Sequence, residues 1–236
     1  LWLAEKPGTG LYFDTAYAAI VCLVLIGLCW LAFRWKVRLR AAVPCILLTA
    51  AVAVGLGNAL SRDVVHIDLV GSANAPAVVI TQNETAVVLF RGGASTQNAV
   101  ENQLARRGVQ NVELLVDLRT KPQMACTLEA ARTVRAEQMA ANTAQELRCT
   151  PARVEVLRTR GGSLARLTIG NRQFVALSGN VELAEPVSAQ WLASPAKPTA
   201  VRYGNVLALR RYDWLESGDA LPASLSLRRG GGLKAE

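Results

Sequence analysis

Residues 114–131, LLVDLRTKPQMACTLEAA, are laid out like the start of an enzyme site. An apolar run ends, a loop follows, and a stretch of helix-like composition begins at Ala125. Ligands of α/β proteins gather outside the carboxyl ends of such strands. The loop nevertheless supplies Arg119, Thr120, Lys121, Pro122, Gln123 and Met124. None is a good general base at neutral pH and none is a hard-metal ligand. The chain's one histidine, His66, lies in an earlier apolar run, whereas zinc needs several convergent donors. Cys126, near Met124, lacks the Cys-x-x-Cys spacing of a soft-metal site. Gly161-Gly162-Ser163 lacks the Gly-Lys-Ser/Thr ending of a phosphate loop and reads as a hairpin turn. Ser95 and Ser178 have no Gly-x-Ser-x-Gly elbow, which leaves no hydrolase triad. Asp117, inside the apolar run, needs a cation such as Arg119 if it is buried.

Around this loop, apolar runs at 64–70, 76–81 and 85–90 predict three strands of a meander. Residues 96–107 predict a helix that stops at Gly108. Residues 112–118 predict a buried strand, and 125–141, rich in Ala, Glu, Arg and Met, a second helix. After Pro151 come three short strand patterns, RVEVLRT, SLARLTI and RQFVAL. Gly161-Gly162 and Gly170-Asn171 separate them as hairpin signals. A last strand is expected at 205–210, followed by a frayed tail, RRGGGLKAE. The order suits a layered α/β domain.

Ahead of that domain stand two uncharged apolar runs, 15–33 and 41–60. A helix of about 20 residues crosses the hydrocarbon core, so both are expected to be transmembrane helices. The loop 34–40, RWKVRLR, carries four cations and no acid, and short basic loops stay in the cytoplasm. The expected layout is therefore an extracytoplasmic loop at 1–14, a membrane hairpin at 15–60 and an extracytoplasmic domain at 61–236. Because Leu1 is not Met and 1–14 reads as a loop, the chain is expected to be the end of a longer membrane protein. Cys22, Cys29 and Cys45 fall in the spans, where a thiol is an ordinary apolar residue. Cys126 and Cys149 fall in the outer domain, either bridged or as two free thiols.

Two spans followed by IDLVGSANAPAVVI, VVLFRGG, LLVDLRTKPQMACTLEA and RQFVALSGN resemble the end of a ComEC-type DNA-uptake channel protein of natural competence. In that family the last membrane helices lead into a metallo-β-lactamase-like domain. Its segments read approximately F-L-D-V-G-Q-G-D-A, L-I-D-G-G, T-H-P-H-A-D-H-I-G-G-L-E-A and L-L-T-G-D. The resemblance puts the family's three histidines on Arg119, Lys121 and Met124, and its aspartates on Gln123 and Asn180. Arg91 stands where an aspartate precedes the glycines Gly92 and Gly93, and Leu69 and Asn74 replace two further acids. Gly71, Ala75 and Glu129 persist. The implied fold is a degenerate metallo-β-lactamase-like αβ/βα sandwich after two transmembrane helices.

What the resemblance implies for function is a noncatalytic C-terminal portion of a DNA-uptake protein in the cytoplasmic membrane, with no metal and no cofactor. The implied partners are DNA, membrane lipids, an upstream channel domain of the same longer protein and other competence proteins. Residues 61–236 carry 21 Lys/Arg against 16 Asp/Glu, an excess that favours polyanions. Arg91, Arg119 and Lys121 map to the mouth of the family's metal pocket and are the candidate contacts to nucleic-acid backbone. With aromatic residues sparse, base stacking is not expected. Two alternatives stay open: a metal-dependent hydrolase or nuclease with unusual ligands, and a membrane-anchored structural module.

Overall fold

A computed structural model describes residues 15–34, 39–61, 64–215, 221–228 and 233–235. The expected N-terminal loop 1–14 and the middle of the basic loop, 35–38, lie outside the described residues. The chain divides into two units, Leu1–Asp63 and Val64–Glu236.

The first unit holds α1 (Thr15–Arg34) and α2 (Leu39–Ser61). Both are helical through long apolar runs, and α2 tolerates Pro44 in its second turn. Near that point the Thr49 hydroxyl donates to the Cys45 carbonyl at 2.8 Å, one turn back. Ile20, Leu23, Ile26 and Trp30 on α1, and Leu47, Leu48 and Val52 on α2, are each more than half exposed. Among the described residues, no helix is long and apolar enough to cross a membrane. The two transmembrane helices expected from the sequence are thus not found over this part of the chain.

The second unit is a sandwich of two sheets. One has seven strands: β1 (Val64–Val70), β2 (Ala77–Gln82), β3 (Thr85–Phe90), β4 (Asn111–Asp117), β5 (Arg132–Arg135), β12 (Ser224–Arg228) and β13 (Leu233–Ala235). Their order is β13-β12-β1-β2-β3-β4-β5. β1, β2 and β3 form an antiparallel meander, and β4 and β5 then add in parallel. A parallel neighbour needs a crossover, here α3 (Ala94–Arg106). The other sheet has six strands: β6 (Thr143–Arg148), β7 (Arg153–Arg158), β8 (Gly162–Ile169), β9 (Arg172–Gly179), β10 (Val187–Ala193) and β11 (Val201–Val206), ordered β11-β10-β9-β8-β7-β6.

Period-two alternation sets the core. Val65, Ile67 and Leu69 of β1 meet Val154, Val156, Leu167 and Phe174 of the second sheet. On the opposite face of the first sheet, α3 lays Val100 and Leu104 over Val79, Val88 and Leu115. With both faces covered, β2, β3 and β4 are buried along nearly their whole length. The outer face of the second sheet is closed by Leu183, Val187, Val201 and Trp214. Among the described residues no helix covers it, so the expected αβ/βα sandwich is found as helix, sheet, sheet.

Three local expectations are corrected. The stretch 125–141 is not a helix: 125–131 is irregular, β5 follows, and a short 3-10 turn closes at Ala136–Gln138. Tertiary pairing overrides helix propensity here. Gln97 of α3 accepts from the Thr127 backbone N–H at 3.2 Å and donates to its hydroxyl at 2.7 Å. The Ala131 N–H then reaches Val112 at 2.8 Å, and β5 takes the open edge of β4. The strand expected last, at 205–210, is β11 at Val201–Val206, in parallel register with β10, and β12 at Ser224–Arg228 follows it before the tail. The tail is not simply frayed: Leu233–Ala235 pairs with β12, while 229–232 and 236 lie outside the described residues.

Candidate functional site

Four segments far apart in sequence meet at one edge of the sandwich: 71–75, 91–93, 117–119 and 177–180. Gly71, at φ +97°, follows β1, and Gly92 follows β3. Both press on Thr96, fully buried in the first turn of α3. A Cβ on Gly71 would lie 2.6 Å from Thr96 Cγ2, and one on Gly92 would lie 2.1 Å from its Oγ1. The Thr96 hydroxyl in turn accepts from the Ser72 N–H at 3.3 Å. Gly179, at φ +77°, ends β9 in a conformation that glycine adopts without steric cost. The turn 159–161 packs on the same end of β9: a Cβ on Gly161 would meet the Asn180 carbonyl at 2.5 Å, and one on Gly162, at the start of β8, would meet the Ser178 carbonyl at 2.4 Å. Gly161 and Gly162, read from the sequence as a hairpin signal, therefore also admit close backbone approach, whereas a Cβ on Gly170 would meet nothing within 4 Å.

Arg91 sits at the centre of this edge and is 5% exposed. Its Nε donates to the Pro76 carbonyl at 2.7 Å, and its Nη1 donates to Leu177 and Ala193, both at 2.8 Å. One guanidinium thus ties the first sheet to β9 and β10. Its Nη2 is buried with no hydrogen-bond partner. Burial pulls the guanidinium down to about 10, an effect that Tyr212 opposes. Arg91 stays charged at neutral pH without a carboxylate beside it.

Arg119 behaves differently. Its Nε and Nη2 grip the two oxygens of Asp117 at 2.8 and 2.6 Å, and its Nη1 donates to the Gly92 carbonyl at 3.1 Å. Its guanidinium lies 4.7 Å from the ring centre of Phe90. These hydrogen bonds to Asp117 hold its pKa above the ordinary value. The Asp117–Arg119 pair expected from the sequence is present, with side chains 4% and 12% exposed. Such a bidentate pair satisfies a buried carboxylate rather than poising it for acid–base work. Lys121, two residues on, is exposed.

The expected trio of nucleic-acid contacts is therefore split. Lys121 faces solvent, Arg119 is committed to Asp117, and Arg91 faces inward onto carbonyls, so Arg91 is corrected from rim residue to interior cross-link. The cause is visible in the register: Arg91 follows a strand buried on both faces, and the sandwich closes over it. The residues at the positions that the sequence resemblance aligns with metal ligands also lack the chemistry of a dication site. Arg119 and Lys121 repel a cation, Gln123 and Asn180 are neutral amides, and Met124 is a soft thioether, 51% exposed. Among the described residues, no three His, Cys, Asp or Glu side chains gather into a set able to hold a metal ion. His66, on β1, shares a hydrogen bond of 2.9 Å with Ser226. Cys126 and Cys149 are free thiols in different apolar clusters, one beneath α3 and one against the layer between the sheets. Burial pushes the Cys149 thiol up to about 11.

Sequence reasoning missed a second grouping. Tyr212 stacks on Trp214 with ring centres 6.3 Å apart and planes within 6°. Tyr203, 39% exposed on β11, meets Trp214 edge-on at 6.1 Å. Arg210 lies 5.8 Å from the Tyr212 ring centre. The Tyr212 hydroxyl donates to the Ala73 carbonyl at 2.7 Å, and the Arg210 guanidinium donates to Asn74. Counting aromatics along the chain hides this group, because it assembles from a strand and the loop that follows it. The signal that could have found it is RRYDW, with arginine and aromatic residues side by side just after YGNV.

No known family profile matches the chain, and no curated protein matches its sequence. Among solved structures, MIM-2 metallo-β-lactamase is similar at 13% identity and a TM-score of 0.35, covering 57% of this chain and 60% of that one. MEM-A1, a subclass B3 metallo-β-lactamase from a soil metagenome library, is similar at 11% identity and a TM-score of 0.33, with 65% of each chain covered. Rm3 metallo-β-lactamase is similar at 11% identity and a TM-score of 0.31, with 67% and 66% covered. The chain spans less than two thirds of the length of each of these enzymes. TM-scores this low mark a loose resemblance and carry no activity across.

Proposed function

We propose that residues 64–236 form a noncatalytic domain of metallo-β-lactamase-like ancestry, and that the chain is the C-terminal portion of a ComEC-type DNA-uptake protein. In this reading α1 and α2 belong to a membrane hairpin, whose uncharged runs at 15–33 and 41–60 and solvent-facing Leu, Ile and Trp side chains suit lipid. One observation carries the loss of catalysis. The four segments that resemble the family's motifs converge at one edge, and cations and amides occupy it. Arg91 and Arg119 act there as fasteners: one bridges the sheets through three carbonyls, and the other neutralises Asp117. Contact with nucleic-acid backbone at this rim falls to Lys121.

The test is metal content. The full chain, purified in detergent without chelator, is analysed for zinc and manganese, and its melting temperature is followed as EDTA is added. Substoichiometric metal and an unchanged melting temperature are expected, because metal that binds the native state contributes to its stability. One tightly held metal ion per chain, with melting lowered by chelation, would sink the noncatalytic reading and favour a hydrolase with unusual ligands.

A further inference from the structure

Two arginines of the second unit close the Nε and Nη2 side of the guanidinium on an aspartate. Arg107 grips Asp68 at 3.0 and 2.9 Å, and Arg119 grips Asp117 at 2.8 and 2.6 Å. Arg158, at the end of β7, has no such carboxylate. It belongs to none of the salt bridges among the described residues, and its Nε and Nη1 are buried without a hydrogen-bond acceptor. Buried guanidinium nitrogens left without acceptors are costly, and native folds keep few of them.

Register fixes where this group faces. Val154 and Val156 of β7 lie in the layer between the sheets, and Arg158 follows them at the same period of two. Its cross-strand neighbours are Thr143 on β6 and Ser163 on β8. Ser163, fully buried, donates to the Leu118 carbonyl, which brings this row to the loop after β4. The 3-10 turn at Ala136–Gln138 lies against β7 from the other sheet's side. Arg158 thus stands where the two sheets open. The hydroxyls around it are already committed as donors: Thr143 to the Ala140 carbonyl at 2.6 Å, Thr159 to Gly162 at 3.0 Å, and Ser163 to Leu118. The guanidinium is the donor that remains.

That donor set selects a ligand by shape. A planar carboxylate is satisfied by the two parallel N–H groups on one side of a guanidinium, as Asp68 and Asp117 are in this chain. A tetrahedral sulfonate or phosphate brings a third oxygen that meets no donor among these side chains. We propose that Arg158 is a binding site for a carboxylate group, held through Nε and Nη2 where the sheets open. The site does not rest on the noncatalytic reading, since metal content and carboxylate binding are measured separately.

The experiment melts the full chain in detergent with increasing sodium acetate, sodium chloride keeping the ionic strength constant. Sodium methanesulfonate, a tetrahedral monoanion with the same methyl group, is run in parallel. A ligand that binds the native state should raise the melting temperature by about 3–6 °C at about ten times its dissociation constant. A saturable rise of this size is expected with acetate and not with methanesulfonate. Arg158→Met keeps an unbranched apolar stem without the fork, and its melting should respond to the two anions alike. The proposal is overturned if acetate and methanesulfonate act equally on the parent, a comparison that stands whatever the variant's own stability. It is overturned as well if Arg158→Met keeps the acetate-specific rise.

Discussion

Arg91 carries an uncommon burden for a single side chain. A buried charge is tolerated when its hydrogen-bonding groups are satisfied, and Arg91 reaches three carbonyls while leaving Nη2 bare. Arg91→Met should cost about 2–4 kcal/mol of stability, because three buried carbonyls lose a charged donor. Arg91→Lys keeps the charge, but its single ammonium cannot reach carbonyls on both sheets as a planar guanidinium does, so it should recover only part of the loss. Urea unfolding of the three proteins side by side checks the order; equal stability of Arg91→Met and the parent would show that the cross-link is dispensable. Cys149 makes a second prediction at this scale. Its folded pKa is raised to about 11 by burial, above the ordinary thiol value of 9.0. The neutral thiol is therefore preferred in the fold, and the unfolded chain binds fewer protons between those values. Stability from this group is complete below about pH 9 and declines as pH rises toward 11. Cys149→Ala should flatten that part of the stability–pH curve under reducing conditions, and an unchanged slope would count against the burial account.

At the scale of elements, close packing between α3 and the motif turns is the tightest constraint. A methyl group on Gly92 would meet Thr96 Oγ1 at 2.1 Å, Thr96 Cβ at 2.4 Å and the Ala75 carbonyl at 2.8 Å. Backbone must move to admit it, so Gly92→Ala should destabilise by about 1–3 kcal/mol, the usual cost of overpacking. Gly93, whose added Cβ meets nothing within 4 Å, is the control, and Gly93→Ala should be close to neutral. Thermal melts of the two variants separate steric fit from a general intolerance of the turn. The same elements show why some of the fold was legible and some was not. β1, β3 and β4 were readable because unbroken Val, Ile and Leu runs bounded by glycine or polar turns have few other uses. The stretch 125–141 misled because Ala, Glu, Arg and Met favour helix locally, whereas an open strand edge and two Gln97 hydrogen bonds reward extension. That segment also leaves a cavity of about 430 Å³ at the start of β4, bounded by Leu104, Val112, Leu128 and Ala130. β6 was unreadable for a simpler reason: exposed on nearly every residue, it has no apolar alternation to detect.

For the whole molecule, the site was legible in its losses more than in its geometry. The replacement of histidine and aspartate by Arg119, Lys121, Gln123 and Asn180 could be read directly, because metal chemistry depends on residue type. Whether Arg91 faces solvent or carbonyls depends on how two sheets close, and no local pattern encodes that. The orientation of the chain at a membrane is likewise a property of the whole. It is argued from the cations of 34–40, which positive-inside bias would hold in the cytoplasm. If α1 and α2 form a hairpin across the bilayer, Val64–Glu236 lies on the extracytoplasmic side. Gln145, exposed on β6, is a suitable reporter position, since its replacement leaves the core undisturbed. In spheroplasts expressing the chain, Gln145→Cys should react with a membrane-impermeant maleimide before lysis. The thiols of Val64–Glu236 should add little background, because burial holds both Cys126 and Cys149 above the ordinary thiol value and keeps the reactive thiolate scarce; the parent chain, labelled in parallel, accounts for Cys22, Cys29 and Cys45. Labelling that appears only after the membrane is broken would place the domain in the cytoplasm. It would remove the DNA-uptake reading with it, because an outer domain is what that reading requires.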